Sequence, residues 1–140
     1  MKIKIFALTH KKFEVPQDKM YQPLQVGREE KEDLGYLCDN TGDNISAENC
    51  YYSELTGLYW IWKNVHTYKY VGTCHYRRYL LNEQEKIFTE AEYLELLKDY
   101  DLITTKRVVL NNSYHYGFAT NHNIHALDMT GEVIKELYPE

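Results

Sequence analysis

The stretch Ile3-Lys4-Ile5-Phe6-Ala7-Leu8, which runs straight into Thr9-His10-Lys11-Lys12, decides the fold class of this chain. A short, largely apolar run that is closed by polar residues is typical of a buried β-strand. The same arrangement recurs further along, where the run from Tyr70 to Cys74 leads directly into His75-Tyr76-Arg77-Arg78. We therefore predict two buried strands, each ending in a cluster of basic and histidine side chains.

A helix is predicted between these two strands, from Tyr51 to Val65. Apolar side chains recur there at the i, i+3, i+4 and i+7 spacing that places them on one helix face. The residues of this predicted face are Leu55, Leu58, Tyr59, Trp62 and Val65. Ser53 and Glu54 can cap the helix, although a start near Ser46 is also compatible with the sequence.

A second helix and a third strand follow. The segment from Thr89 to Tyr100 predicts a helix, because Thr89 is a good N-cap and Glu92 completes a capping box. Asp101 to Thr104 predicts a third strand, and it leads into Thr105-Lys106-Arg107.

The order of these elements predicts the fold class. A last helix is expected from Met129 to Leu137, ending before Pro139. Alternating strands and helices are typical of an α/β fold with a largely parallel sheet. We therefore expect one domain over residues 1–140, built as an open, mostly parallel sheet that is flanked by helices.

The segment between residues 13 and 50 is predicted to be irregular. Proline and glycine interrupt it, and Asn40-Thr41-Gly42-Asp43-Asn44 has strong turn chemistry. A loop of this length inside a domain is usually functional. Asp39, Asp43 and Asn44 have oxygens that could hold a hard cation, but Asp and Asn also form Asx-turns, and we favour the turns.

Composition excludes several classes of protein. A net charge of −5 gives no overall electrostatic case for nucleic-acid binding. No segment approaches the roughly 20 apolar residues of a transmembrane helix, so we expect at most a peripheral association with membrane-bound machinery. Cys38, Cys50 and Cys74 form neither a CxxC pair nor a disulfide framework, which is typical of reduced thiols in a cytoplasmic protein.

The polar ends of the three predicted strands indicate a binding pocket. Ligands of open α/β sheets bind beyond the carboxyl ends of the strands. If these strands are parallel neighbours, six of the sixteen Lys and Arg residues converge there with His10 and His75. A diphosphate suits such a pocket, because arginine binds phosphate through paired hydrogen bonds and lysine adds a mobile charge. Basic residues also follow strands simply because loops are solvated, an alternative that applies most to Lys106 and Arg107.

Four motifs carry a resemblance to a known family. They are IFxxTHKK at residues 5–12, LGYLxDNTGDNIS at 34–46, YxELTxLYWxWKN at 52–64 and VGxxHYRRY at 71–79. In this order they resemble the bacterial capsular and exopolysaccharide biosynthesis domain that is known as a domain of unknown function. Its members are regarded as glycosyltransferases, and the resemblance covers essentially the whole chain. Members generally continue past Pro139-Glu140, so we expect the chain to end inside the domain.

The resemblance implies a fold of the GT-A type and a nucleotide-sugar substrate. The implied reaction transfers a sugar, galactofuranose in some relatives, from a UDP-sugar to a glycan or lipid-linked acceptor. An Asp-x-Asp metal motif commonly follows a mid-sheet strand in that fold, whereas this chain has His75-Tyr76-Arg77-Arg78 there. Fixed cations can neutralise a leaving diphosphate. We therefore predict no metal ligands and no firm cofactor, with Mn²⁺ or Mg²⁺ as the less favoured alternative.

This hypothesis gives three groups of candidate site residues. The candidate catalytic residues are His75, Glu54 and Asp43, although Glu54 also suits a helix-dipole role. The candidates for donor and diphosphate binding are Thr9, His10, Lys11, Tyr76, Arg77, Arg78 and Lys106. The candidates for a sugar or donor loop are Asp39, Asn40, Asp43 and Asn44.

Two other classes of protein remain open from the sequence. A non-catalytic carbohydrate-binding or assembly module would use its tyrosine-rich surface to stack on sugars and would need no nucleotide. An inactive fragment would instead expose a sheet edge that drives dimerisation.

Overall fold

The computed structural model describes residues 2–139. Four parallel strands form one sheet in the order β3-β2-β1-β4. The strands are β1 (Ile3–Thr9), β2 (Tyr21–Gln25), β3 (Leu37–Cys38) and β4 (Tyr70–His75). The helices are α1 (Asn49–Tyr52), α2 (Leu55–Asn64), α3 (Glu90–Leu96), α4 (Tyr114–Ala119) and α5 (Ile124–Leu137). The predicted α/β class and the parallel sheet with flanking helices are confirmed.

The alternation of side chains along β1 divides the core into two layers. Ile3 and Ile5 lie on one face of the sheet, and Phe6 and Leu8 lie on the other, because successive side chains of a strand point in opposite directions. The first face packs against Met20, Tyr21 and Tyr93 of α3. The second face packs with Leu24, Val26, Trp60 and Ile61, the last two from α2.

The buried face of α2 differs from the predicted one. Its buried residues are Thr56, Gly57, Trp60 and Ile61. A Cβ on Gly57 would lie 2.6 Å from Val26 Cγ1, so the lack of a side chain lets the helix approach the sheet closely. Leu55, Leu58 and Trp62 of the predicted face are 57%, 48% and 66% exposed. The prediction was wrong because neither Gly57 nor Thr56 has a strongly apolar side chain, although Thr56 is fully buried and Gly57 lies against Val26 and Leu8.

The bounds of the predicted helices are partly corrected. The backbone leaves the helical conformation at Ser53, so the helix predicted from Tyr51 to Val65 is split into α1 and α2. α3 begins at the predicted capping box, in which Thr89 and Glu92 bond each other's backbone. α5 covers the predicted last helix and begins earlier, at the N-cap Asn123.

The strand predictions also need correction. β2 and β3 lie inside the segment 13–50 that was predicted to be irregular, and the residues from Asp101 to Thr104 form no strand. Only three of these four residues are apolar or β-prone, which is too short a signal to establish a strand by periodicity alone. β4 is consequently the edge of the sheet, and Val71 is 42% exposed rather than buried.

Backbone contacts divide the chain into two units, one ending at Ile103 and one beginning at Thr104. The first unit holds the sheet. The second holds α4 and α5, whose N-caps are Ser113 and Asn123. The single domain expected over residues 1–140 stays a prediction. Within residues 2–139, no helix has the length and apolar character that crossing a membrane requires.

Candidate functional site

The order of the strands creates a switch point at the carboxyl end of β1. The chain passes from β1 to β2 and β3 on one side, and then returns to place β4 on the other side of β1. Ligands of open α/β sheets bind at such a reversal. Leu8 pairs with His75 in register, and the backbone N–H of Tyr76 donates to the Leu8 carbonyl at 3.1 Å. The two basic clusters predicted from the sequence therefore lie side by side.

Thr9 shapes the end of β1. It is 1% exposed, and its Oγ1 bonds both the backbone N–H of Lys11 at 3.1 Å and the Lys11 carbonyl at 2.5 Å. Its own carbonyl accepts from the Val26 N–H at 2.9 Å, which fastens the turn to the end of β2. The buried Thr9 is thus a support, while His10 and Lys11 are exposed.

The ring of Tyr76 contacts residues of both basic clusters. Its ring centroid lies 5.5 Å from that of His10 and 4.4 Å from that of His75. Lys11 Nζ and Arg77 Cζ lie 5.9 Å and 5.2 Å from the same centroid, which is cation–π distance. The residue is 6% exposed, and its hydroxyl finds no hydrogen-bond partner among residues 2–139. The Tyr76 ring therefore contacts four cationic or titratable groups, and its buried hydroxyl keeps a hydrogen-bond donor that no described residue uses.

A tight turn presents the two arginines. The N–H of Arg78 donates to the His75 carbonyl at 2.8 Å, closing the turn immediately after β4. Both Arg77 and Arg78 are exposed. In the described part of the chain neither guanidinium forms a salt bridge, although five other pairs do. Their charges are therefore free to bind an anion.

His75 and Glu54 form a pair at the edge of this cluster. His75 Nδ1 accepts from the Arg77 N–H at 3.2 Å, so the neutral ring carries its proton on Nε2. That Nε2 lies 3.4 Å from Glu54 Oε1. Desolvation lowers the pKa of His75, Glu54 opposes the shift, and Arg77, Arg78 and His10 add to it. His75 is neutral at pH 7 and directs an N–H at the carboxylate.

Lys31 belongs to the same electrostatic environment, although the sequence did not point to it. Desolvation lowers the pKa of His10, and Lys11, Lys31 and Arg77 lower it further, in that order. Lys31 is exposed and donates to Asn49 Oδ1 at 2.8 Å. Its neighbours in sequence are Glu29, Glu30, Glu32 and Asp33. A lysine inside an acidic run gives no signal of an anion site.

Asp39 lies beneath the predicted donor loop rather than in it. The residue is 0% exposed, and its two carboxylate oxygens accept four hydrogen bonds. The donors are Gly27 N at 2.8 Å, Arg28 N at 3.1 Å, Ser46 Oγ at 2.6 Å and Thr56 Oγ1 at 2.7 Å. Asp39 thus joins the end of β2 to α2, with Gly27 held at φ 64°, where glycine is favoured. Its side chain is a structural anchor in this conformation.

The other residues of the predicted donor loop bond to the protein itself. Asn44 Oδ1 accepts from the Ser46 N–H at 3.1 Å, which is an Asx-turn, and Asn40 donates to Glu29 at 3.2 Å. Asp43 accepts from the Tyr59 hydroxyl at 3.0 Å and lies 3.9 Å from Lys63 Nζ. These contacts match the turn interpretation of the segment.

The structure does not bring Asp43 to the pair of His75 and Glu54. Glu54 precedes the first turn of α2, whereas the partner of Asp43, Lys63, lies in the last turn. Nine residues of helix separate them, or about 14 Å. Lys106 is not at a strand end either, because it lies exposed in irregular chain beyond Ile103. Of the predicted residues, the switch point gathers Thr9, His10, Lys11, Glu54, His75, Tyr76, Arg77 and Arg78.

A family model matches residues 4–140, and its description is Domain of unknown function (DUF4422). The chain belongs to this family. The match spans nearly the whole chain, which confirms the resemblance that the four motifs suggested. A search of curated proteins found no match.

The DUF4422 chain is also similar to a solved structure, "WbbM bifunctional glycosyltransferase apo structure". The TM-score is 0.76 at 25% sequence identity, and the similarity covers 99% of this chain and 30% of that one. The DUF4422 domain therefore has a glycosyltransferase-like fold. It spans less than a third of the length of the protein that it resembles.

A large apolar cavity of the first unit lies apart from the basic cluster. It has a volume of about 460 Å³ and runs along the edge of β4, between α2 and α3. Its lining is mostly aliphatic and aromatic, and Lys69 is its one cation. A diphosphate needs several donors, so the basic switch point suits it better. Residues 2–139 contain no cluster of three His, Cys, Asp or Glu side chains that could hold a metal ion, and metal independence stays a prediction.

Proposed function

We propose that this DUF4422 chain binds a UDP-sugar at the switch point and transfers the sugar to an acceptor hydroxyl. The observation that carries the proposal is the pair of exposed guanidiniums, Arg77 and Arg78, which form no salt bridge within residues 2–139 and lie beside His10 and Lys11. In a protein of net charge −5, this is a local concentration of positive charge at the place where open sheets bind ligands. The glycosyltransferase-like fold supports the same function.

The cations serve the leaving group. When the bond from the anomeric carbon to the diphosphate breaks, its electron pair stays on the phosphate oxygen, and negative charge grows there. Arg77 and Arg78 are placed to neutralise that charge through charge-assisted hydrogen bonds, with Lys11 and His10 as further donors. The hydroxyl of Tyr76, which has no hydrogen-bond partner among residues 2–139, is our candidate for one more donor. Fixed cations thus fill the place that a divalent ion takes in metal-dependent enzymes.

Glu54 is our candidate for the general base. The acceptor oxygen forms a bond to the anomeric carbon and gives its proton to the Glu54 carboxylate, while UDP departs. The Glu54 side chain is 51% exposed, and the neutral His75 donates an N–H toward its carboxylate. An acceptor can therefore reach one carboxylate oxygen while His75 orients the other.

The family resemblance suggests the substrates and the setting. We propose a galactofuranosyl or related UDP-sugar donor and a glycan or lipid-linked acceptor of capsular or exopolysaccharide synthesis. The reaction would take place in the cytoplasm, in peripheral association with the membrane-bound machinery. The basic switch point supports only the nucleotide diphosphate part of this assignment.

Calorimetric titration with UDP tests the proposal. We expect the wild-type chain to bind UDP and Arg77→Ala to lose detectable binding, because one removed guanidinium costs roughly tenfold or more in Kd. The circular dichroism melt of Arg77→Ala should stay nearly unchanged, since its side chain is exposed.

Lys19→Ala is the matched control. Lys19 lies just before β2, at the amino ends of the parallel strands, so the variant loses one positive charge at the end of the sheet opposite to the site. Equal loss of UDP affinity in both variants, or a collapsed melt in Arg77→Ala with binding intact, would contradict the proposal. Titration in chelator and in manganese separates metal-independent binding from metal-dependent binding.

The exposed aromatic residues of α2 favour a second candidate function, a carbohydrate-binding module. Tyr59 and Trp62 lie at 5.7 Å between ring centroids, and Trp62 is 66% exposed. Such rings stack on sugars. A thermal shift with oligosaccharide but none with UDP or UDP-sugars would support the module and exclude the transferase.

A further inference from the structure

The backbone at Ser53 is held in a conformation that residues with a side chain rarely adopt. Its φ is 51° and its ψ is −129°, and it separates α1 from α2. Glycine takes such angles freely, but this position has a Cβ. Non-glycine residues in these regions persist only where the surroundings enforce them, and they cluster at functional sites. The next residue is Glu54.

Asn49 stabilises this conformation of Ser53, which we call the kink between α1 and α2. Its Nδ2 donates to the Ser53 carbonyl at 2.6 Å and lies 3.1 Å from Thr56 Oγ1. Its Oδ1 accepts from Lys31 Nζ, which orients the amide. The Ser53 N–H donates to the Asn49 carbonyl at 2.8 Å. Both ends of residue 53 are therefore tied to one asparagine, and through Thr56 to the buried Asp39.

The kink determines what surrounds Glu54. In an uninterrupted helix, Cys50 and Tyr51 would lie one turn before Glu54, on the same face. The break instead turns α1 away, and Glu54 becomes the N-cap of the ten-residue α2. Its carboxylate stays half-exposed, near the positive end of the helix and 3.4 Å from His75 Nε2.

We propose that the kink at Ser53, held by Asn49, is a positioning device that presents the Glu54 carboxylate to the acceptor beside His75. Asn49 and Ser53 are positioning residues, because they act through Glu54 and touch no reacting atom. The inference depends on the proposed function only in giving Glu54 the role of proton acceptor. The geometric claim can be tested without any substrate.

The test follows the pKa of His75 by NMR titration of its ring signals, assigned with His75→Gln. The charged groups that face His75 are Glu54, Arg77, Arg78 and His10. Glu54→Gln removes the one that raises the pKa, so it defines the value reached when the pair is broken. We expect Asn49→Ala to lower the pKa of His75 to that value, because the first turn of α2 loosens.

Rescue by glycine distinguishes positioning from general damage. Glycine adopts φ 51° without steric strain, so Asn49→Ala combined with Ser53→Gly should restore the wild-type pKa of His75. Asn40→Ala, which removes an asparagine amide that bonds Glu29 instead of Ser53, is the matched control and should leave the pKa of His75 unchanged. A wild-type pKa in Asn49→Ala, or no recovery in the double variant, overturns the inference.

Two further measurements keep the test decisive. If Asn49→Ala does not fold, Ser53→Gly alone still decides, because relief of a real strain should raise Tm and keep the pKa of His75, and a lower Tm overturns the inference. UDP calorimetry on the same variants separates the two proposals. A chain that shows the glycine rescue but binds no UDP keeps the positioning device and loses the proposed function.

Discussion

Two regions of this molecule present polar residues after strands, and they use them in opposite ways. In the segment 39–46, which follows β3, carboxylates and amides bond to the protein's own backbone and side chains. At the switch point, which follows β1 and β4, two guanidiniums and a buried hydroxyl have no such partner in the described chain. A polar cluster can bind a ligand only with the hydrogen-bonding capacity that folding leaves unused.

The largest effect on stability should come from Asp39, which lies in the segment whose polar groups already bond within the protein. Asp39→Ala removes a buried carboxylate and leaves four donors, two of them backbone N–H groups, without an acceptor. We expect the free energy of unfolding to fall by about 3 kcal/mol or more, measured by urea denaturation.

Asp43→Ala is the matched control in the same segment. It removes an exposed carboxylate with one hydroxyl donor and one lysine at 3.9 Å. The expected loss is under about 1 kcal/mol, because exposed ion pairs contribute little. Similar losses in the two variants would mean that Asp39 is no more of an anchor than its neighbour.

Tyr76→Phe tests the other side of the comparison. Because the hydroxyl has no hydrogen-bond partner among the described residues, we expect Tm to stay the same or rise slightly. Affinity for UDP should fall about fivefold to tenfold, if this hydroxyl donates to the diphosphate. A lower Tm with unchanged UDP affinity would mean that the Tyr76 hydroxyl stabilises the fold and does not bind the ligand.

The smallest expected effect is the pH dependence of stability that His10 and His75 cause. Desolvation and neighbouring cations lower the pKa of both His10 and His75. Below about pH 6.5 the unfolded chain therefore binds more protons than the folded one, and stability falls as the pH drops from there through the folded pKa values. His75→Gln should flatten part of this decline in thermal melts between pH 7.5 and 5.5.

The same two histidines should respond to the ligand. A bound diphosphate favours the protonated rings, so UDP binding should take up a fraction of a proton near pH 6.5. Calorimetry in buffers of different ionisation enthalpy measures this uptake. Zero uptake in the wild-type chain, or equal uptake in His10→Gln/His75→Gln, would place both rings outside the anion site.

The sequence predicted those parts of the fold whose signal is local. β1, β4 and α3 were visible as an apolar run, a second run and a capping box, and each is confirmed. The strands β2 and β3 were missed because they are short and lie among prolines and glycines. The buried face of α2 was missed because its closest contact is made by Gly57, which has no side chain to detect.

The site was predictable to the same extent. The basic residues after β1 and β4 were visible, since any strand end of a parallel sheet is a candidate edge. Lys31 lies in an acidic run, so the sequence did not indicate that it is near the site. The kink at Ser53 could not be predicted, because serine does not usually mark a position with positive φ. The prediction that Lys106 follows the carboxyl end of a third strand was wrong, because no strand forms before it.

The sequence by itself determined the α/β class, the family and the two basic clusters, because each depends on residue types at short spacing. Only the tertiary structure decided that the clusters meet, since their proximity depends on β4 pairing with β1 across more than sixty residues of chain. It also decided which polar groups remain available. In the sequence, Asp39 and Arg77 are both simply charged residues. In the structure, the Asp39 carboxylate accepts four hydrogen bonds inside the protein, whereas Arg77 is exposed to solvent.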